Sequence, residues 1–191
     1  MILYVNSCVR DESRTDRLAR ALLEKLTKET HEEIQEVNLE KEFLSGKLQP
    51  LTKESLKKRD NLLEAADYAD PFFDYARQFS QADTVVVSAP FWDASVPAIL
   101  RTYLENIYAI GIVTKHDENG VPVGLCRATK LYYVTTVGAE FFPDFSYNYV
   151  AALATQKFGI PETELIKAEM LDVDGYDAEK IVSEAIESLE K

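Results

Sequence analysis

Residues 84–107 read TVVVSAPFWDASVPAILRTYLENI. Three consecutive valines, Val85 to Val87, ahead of Ser-Ala-Pro are the pattern of a short buried strand. It stops at Pro90, which has no N–H to give to a ladder. Pro97 suits the first turn of a helix, and Leu100, Tyr103, Leu104 and Ile107 follow at i, i+3, i+4, i+7 spacing. The unit is strand, loop, helix. In an open α/β sheet a ligand binds beyond the carboxyl ends of the strands, which places Phe91, Trp92, Asp93 and Ala94 at a candidate site. Trp92 is the only tryptophan of the chain. It is readable either as a flat wall for a planar ring or as a plug at the strand end.

The same unit recurs on both sides of this stretch. Ile2 to Val5 is an apolar run bounded by Asn6-Ser7, and Leu18, Leu22 and Leu26, with Ala19 and Leu23, trace the helix after it. The loop between has no glycine, so it lacks the G-x-G-x-x-G fingerprint of a dinucleotide site. Ser13, Arg14 and Thr15 instead bring two hydroxyls, a guanidinium and the positive end of a helix dipole together, which suits a terminal phosphate monoester. Plain N-capping by Ser13 or Thr15 accounts for the hydroxyls equally well. Leu131 to Thr135 is a further buried-strand run, and Thr136-Val137-Gly138-Ala139 forms a third loop at a carboxyl end.

The remaining segments complete an alternating order. Residues 34–39 read as a polar, edge-like strand, and residues 165–173 as a fifth strand. The connection over residues 40–70 is long and must be partly ordered, with Thr52 capping a helix that carries Leu56 and Leu63. Asp70-Pro71 opens another helix with Phe72, Tyr75, Ala76 and Phe79 on one face. Residues 112–125 carry Asp117-Glu118-Asn119-Gly120 between apolar or β-branched runs, a hairpin signal readable as an excursion over the site. A helix over residues 146–158, stopped by Gly159 and Pro161, and a closing helix with Ile181, Val182, Ala185, Ile186 and Leu189 follow. Five strands alternating with helices predict an α/β fold, a parallel sheet covered on both faces.

At 191 residues, 46% hydrophobic and 28% charged, the chain has the size of one globular domain over residues 1–191. No apolar run approaches the ~20 residues of a membrane helix, so no membrane insertion is expected. Met1 leads directly into an apolar strand, which argues against a signal peptide. Two cysteines far apart, Cys8 and Cys126, accord with a reducing, cytoplasmic setting. A net charge of −12 repels nucleic acid. The cluster Lys53, Lys57, Lys58, Arg59 is broken by Glu54 and Asp60 and reads as a solvated helix face. Two histidines, His31 and His116, without ligand spacing leave nothing to build a metal site from.

Taken together, the pieces resemble the flavodoxin-like NAD(P)H-dependent oxidoreductases that include FMN-dependent azoreductases and NAD(P)H:quinone reductases. The most specific part is the run Ala89 to Arg101, where a proline and an aromatic loop precede a "P-x-x-L-K"-like helix start, continued by Tyr103-Leu104-Glu105. The resemblance implies a doubly wound five-stranded sheet of order 2-1-3-4-5, FMN as cofactor and NADH or NADPH as co-substrate. It also implies ping-pong hydride transfer to a planar quinone, azo or nitro acceptor, and a homodimer. Ile99 and Tyr108, apolar beyond one helical stripe, point to the same dimer. By the resemblance Ser13, Arg14 and Thr15 hold the FMN phosphate, with Ser7 facing the same pocket. Pro90 and Phe91 to Ala94 line the isoalloxazine, and Thr135, Thr136, Val137 and Gly138 occupy the family's Thr-Ser-Arg-Gly-Gly or Thr-Thr-Gly-Gly loop. No catalytic side chain is carried over, because the flavin carries the chemistry.

Three departures from the family stand out. Asp93 replaces a common Asn; over the flavin's pyrimidine edge it would oppose negative charge on the reduced ring, whereas capping its turn or facing water would leave the ring unaffected. Ala139 replaces a second glycine, which makes a positive φ or close backbone approach harder there. Glu140-Phe141-Phe142-Pro143 stands where quinone reductases have a Tyr and His relay. The competing functions are an electron-carrier flavodoxin and a member that has lost the flavin and acts as a binding protein. The apolar helix beginning at Val96-Pro97, linked in the family to dimerisation, argues against the carrier.

Overall fold

A computed structural model describes Met1–Glu190. Five parallel strands form one sheet in the order β2-β1-β3-β6-β7, with β1 Ile2–Asn6, β2 Ile34–Asn38, β3 Thr84–Ser88, β6 Lys130–Thr136 and β7 Glu162–Ala168. With the strands of the sheet counted alone, this is the expected 2-1-3-4-5. The runs that read as uninterrupted apolar segments are the central strands: β1 is buried at every position, and β3 from Val85 to Ser88. A strand covered on both faces needs no polar alternation. β2, at the edge, exposes Ile34, Gln35 and Glu36.

Helices cover both faces. On one face Ile2, Tyr4, Val86 and Val134 meet Leu18, Leu22 and Leu26 of α1 (Arg14–Thr30) and Val182 of α7 (Ala178–Leu189). On the other, Leu3, Val5, Val85, Val87, Leu131 and Tyr133 pack with α4 (Asp74–Gln81) and α5 (Ala98–Ile107). The chain leaves β1 toward β2 on one side and returns as β3 on the other. The crevice of the fold therefore opens beyond Asn6 and Ser88, where that order reverses.

The long connection holds α2 (Leu39–Leu44) and α3 (Lys53–Glu64), the latter capped by Thr52 and Ser55 reciprocally. Asp70 caps a 3-10 turn, Pro71–Phe73, and α4 begins only at Asp74. The helix expected over residues 146–158 divides into α6 (Tyr147–Leu153) and a π-helical turn, Ala154–Phe158, ended by left-handed Gly159. The last strand lies earlier than the expected 165–173, because Leu171 turns away to donate its N–H to Val137 O.

The hairpin β4 (Thr114–His116) and β5 (Pro122–Gly124) pairs antiparallel but does not reach over the crevice. β5 is seated on the π turn: a Cβ on Gly124 would lie 2.0 Å from Gly159 N, and Cys126 N donates to Phe158 O. That turn leads into the amino end of β7, the opposite end of the sheet. Among the described residues no helix is long and apolar enough to cross a membrane.

Candidate active site

The first loop is hung on Asn6, the last residue of β1. Its buried Oδ1 accepts from Cys8 N at 2.9 Å and from Ser88 Oγ at 3.3 Å. Ser7, expected to face the pocket, is fully buried and donates its hydroxyl to Ser88 O at 2.6 Å, so that group is committed to the β1–β3 junction. Ser13 is the N-cap of α1 and accepts from Asp16 N at 3.2 Å. The N–H groups of Arg14 and Thr15, the first two helical residues, have no acceptor within the helix and are available to an anion. Thr15 is only 1% exposed, and its Oγ1 lies 2.6 Å from Thr136 Oγ1, tying α1 to β6. Its hydroxyl is thus structural, while its backbone remains a donor. Arg14 reaches Asp172 at 3.3 Å and Glu179 at 3.6 Å.

The second loop follows β3. Trp92 and Ser95 exchange backbone hydrogen bonds of 3.3 and 2.9 Å across Asp93 and Ala94, whose φ values are +49° and +61°. Both central residues at positive φ make this a turn of the I′ kind, which favours Asn or Asp followed by Gly. Asp93 is exposed at its tip. The residue strained for want of a glycine is therefore Ala94; Ala139 keeps an ordinary φ.

The third loop follows β6. Thr135 is fully buried with its Oγ1 unpartnered. A Cβ on Gly138 would lie 2.4 Å from Oδ2 of Asp172, an exposed side chain that would have to turn aside. Phe141 and Phe142 meet Phe91 edge-on at 5.1 and 5.2 Å, and Ser95 Oγ donates to Phe145 O at 3.0 Å. The second and third loops are thereby joined into one aromatic wall.

The three loops enclose a cleft of about 1130 Å³. Of the residues expected at the site, Ser13, Arg14, Thr15, Pro90, Phe91, Trp92, Thr136, Val137 and Gly138 line it, whereas Ser7, Asp93, Ala94 and Thr135 do not. Cys8, Arg10, Asp172 and Glu179 are among the lining residues that went unread in the sequence. Cys8 lies in the wall with its thiol pKa raised by burial, and Arg10 lies over the Trp92 ring at 5.9 Å. Asp172 and Glu179 arrive from the segment after β7. No local pattern signals such an approach across more than 150 residues; the odd acidic density of residues 172–179 is the only hint.

A family profile described as a flavodoxin-like fold matches residues 1–191. The chain belongs to this flavodoxin-like family. Its relatives include the FMN-dependent NADH:quinone oxidoreductase of Coprothermobacter proteolyticus, 34% identical over 203 residues covering 100% of this chain and 96% of the relative. FMN-dependent NADH:quinone oxidoreductase 2 of Clostridium acetobutylicum is 33% identical over 195 residues, 97% and 94% of the two chains. The azoreductase from Bacillus anthracis str. Sterne superposes with a TM-score of 0.82 at 23% identity, covering 98% of this chain and 95% of that one. At that identity the likeness is one of fold. In this flavodoxin-like chain the cleft lies at the switch point where such a fold places its ligand.

Proposed function

We propose that the chain is an FMN-dependent NADH:quinone oxidoreductase that also accepts other flat acceptors such as azo and nitro compounds. The observation that carries the reading is one cleft uniting unpartnered helix N–H groups with an aromatic wall. A phosphate monoester fits the first and a planar ring the second. Relatives that bear the activity in their names, across the full chain, support it.

The fit to FMN rests on this chain's own donors. Ser13 Oγ–H, the N–H groups of Arg14 and Thr15, and the Arg14 guanidinium would hold the phosphate; Pro90, Phe91, Trp92, Val137 and Gly138 would flank the ring. When bound, FMN supplies the two-electron chemistry, taking hydride from NADH and passing it to the acceptor. Phe91 and Trp92 present apolar surface to flat molecules in the cleft, with Phe141 and Phe142 packed edge-on against Phe91. Because burial raises its pKa, Cys8 stays protonated near neutral pH and is no rival nucleophile.

A homodimer belongs to the same reading. Ile99 and Tyr108, read from the sequence as its surface, instead pack against the core, and the apolar surface left for a partner chain beside the cleft is Phe142 and Phe145, 48% and 67% exposed. Static light scattering should then give twice the chain's 21.6 kDa. A cytoplasmic site of action, with both cysteines free, completes the proposal. The test is steady-state NADH oxidation by FMN-reconstituted protein with a planar quinone. Turnover saturable in both substrates is expected; no turnover above free FMN would refute the function.

A further inference from the structure

The cleft is not a basic one. Four arginines line it, Arg10, Arg14, Arg17 and Arg20, against six carboxylates, Asp11, Glu12, Asp16, Glu24, Asp172 and Glu179. A phosphate dianion can settle there only if the carboxylates nearest it are neutralised or turned away. Arg14 and Arg17 serve Asp172 and Glu179. Two carboxylates flank residues 13–15 in sequence: Glu12 on the exposed loop, and Asp16, half-buried on the first turn of the same helix.

Asp16 is held by three donors. Tyr4 O–H reaches Oδ1 at 2.6 Å, Asn6 Nδ2 reaches Oδ1 at 3.0 Å, and Arg20 Nε reaches Oδ2 at 2.8 Å. Arg20 also donates to Glu36 at 3.2 and 3.3 Å, and its guanidinium lies 5.6 Å from the Tyr4 ring centroid. Tyr4 and Asn6 stand on β1 and Glu36 on β2, while Arg20 comes from one turn further along α1, so the carboxylate is drawn against the sheet. Asn6 is also the residue from which the first loop hangs, through Cys8 N. A chain of hydrogen bonds thus runs from Arg20 through Asp16 and Asn6 to the start of the loop.

We propose that Arg20 is a positioning residue for phosphate recognition: it neutralises Asp16 and, through Asn6, fixes the loop that presents residues 13–15. A lysine could not replace it fully, because one ammonium cannot span Asp16 and Glu36 with a rigid fork. The proposal rests on the phosphate assignment made above. Its signature is selectivity, because riboflavin shares the ring of FMN and lacks the phosphate.

The experiment measures FMN and riboflavin dissociation constants by flavin fluorescence quenching for the wild type, Arg20→Gln, Arg20→Lys, Asp16→Asn and Arg20→Gln/Asp16→Asn. Thermal melts establish that each variant is folded. Arg20→Gln is expected to weaken FMN by about tenfold, the scale of one screened unit-charge repulsion over several ångström, with riboflavin nearly unchanged. Adding Asp16→Asn should restore most of the FMN affinity, which a merely structural role for Arg20 would not allow. If Arg20→Gln fails to fold, Arg20→Lys carries the test: a smaller FMN-selective loss, again recovered with Asp16→Asn. An unchanged FMN-to-riboflavin ratio, or an equal loss of both ligands, would overturn the proposal while leaving the phosphate assignment intact. A wild type that binds both ligands equally would overturn the assignment and the proposal together.

Discussion

Ala94 offers the sharpest check on the site's backbone. It occupies the second central position of the Trp92–Ser95 turn at φ +61°, where its Cβ crowds the following carbonyl. For a non-glycine residue that region costs roughly 1–2 kcal/mol. Glycine removes the penalty but adds about 0.4–1 kcal/mol of unfolded-chain entropy. Ala94→Gly should therefore stabilise the protein by roughly 0.5–1 kcal/mol, raising Tm by about 1–4 °C at this chain length. In urea the midpoint should rise with the m-value unchanged. Ala94→Val, β-branched at positive φ, should lose at least about 1 kcal/mol. FMN affinity should survive Ala94→Gly, because the turn is retained and Trp92 stays in place. A lower Tm for the glycine variant, or a valine variant as stable as the wild type, would refute the assignment of strain to this residue.

Gly138→Ala forces the exposed Asp172 side chain aside and breaks its pair with Arg14. The stability cost should stay within about 1 kcal/mol in a urea titration, and more than about 3 kcal/mol would mean that the backbone itself needs glycine. The Cys126 thiol is pushed up to about 12 by burial, above its ordinary 9.0, so the unfolded chain gives up this proton first. Stability from this group is complete below about pH 9 and declines as pH rises toward 12. Denaturant midpoints of wild type and Cys126→Ala should accordingly converge or cross over that window, and parallel curves would contradict it. At neutral pH, iodoacetamide should label Cys126 in the denatured chain and spare it in the native one.

The parallel sheet was legible because its strands are written as uninterrupted apolar runs ending in loops, and Val85 to Val87 needed no tertiary information to be read. The three converging loops were legible for the same reason. What each side chain does in them was not. Ser7 and Thr15 carry the hydroxyls a phosphate site wants, yet Ser88 O and Thr136 Oγ1, 81 and 121 residues away, take them. The strain expected at Ala139 lies at Ala94, because φ is set by the Trp92–Ser95 turn and the missing glycine of a family motif says nothing about which bond rotates. The hairpin was read from its turn residues, but its seat on Gly159 is a contact between two glycines distant from its own signal. Asp172 and Glu179 are invisible locally for the same reason: their partners on α1 are brought to them by the fold.

In the function proposed for it, this cleft binds FMN for two-electron transfer from NADH. The most direct measurement is an anaerobic titration of the FMN-loaded protein with NADH, followed in the visible absorption band of the flavin, with a planar quinone added at the end. The band should bleach at one NADH per flavin without any partner protein and return in full on addition of the quinone. A band that NADH leaves unchanged while a partner reductase bleaches it, or a protein that takes up no FMN, would overturn the proposed function.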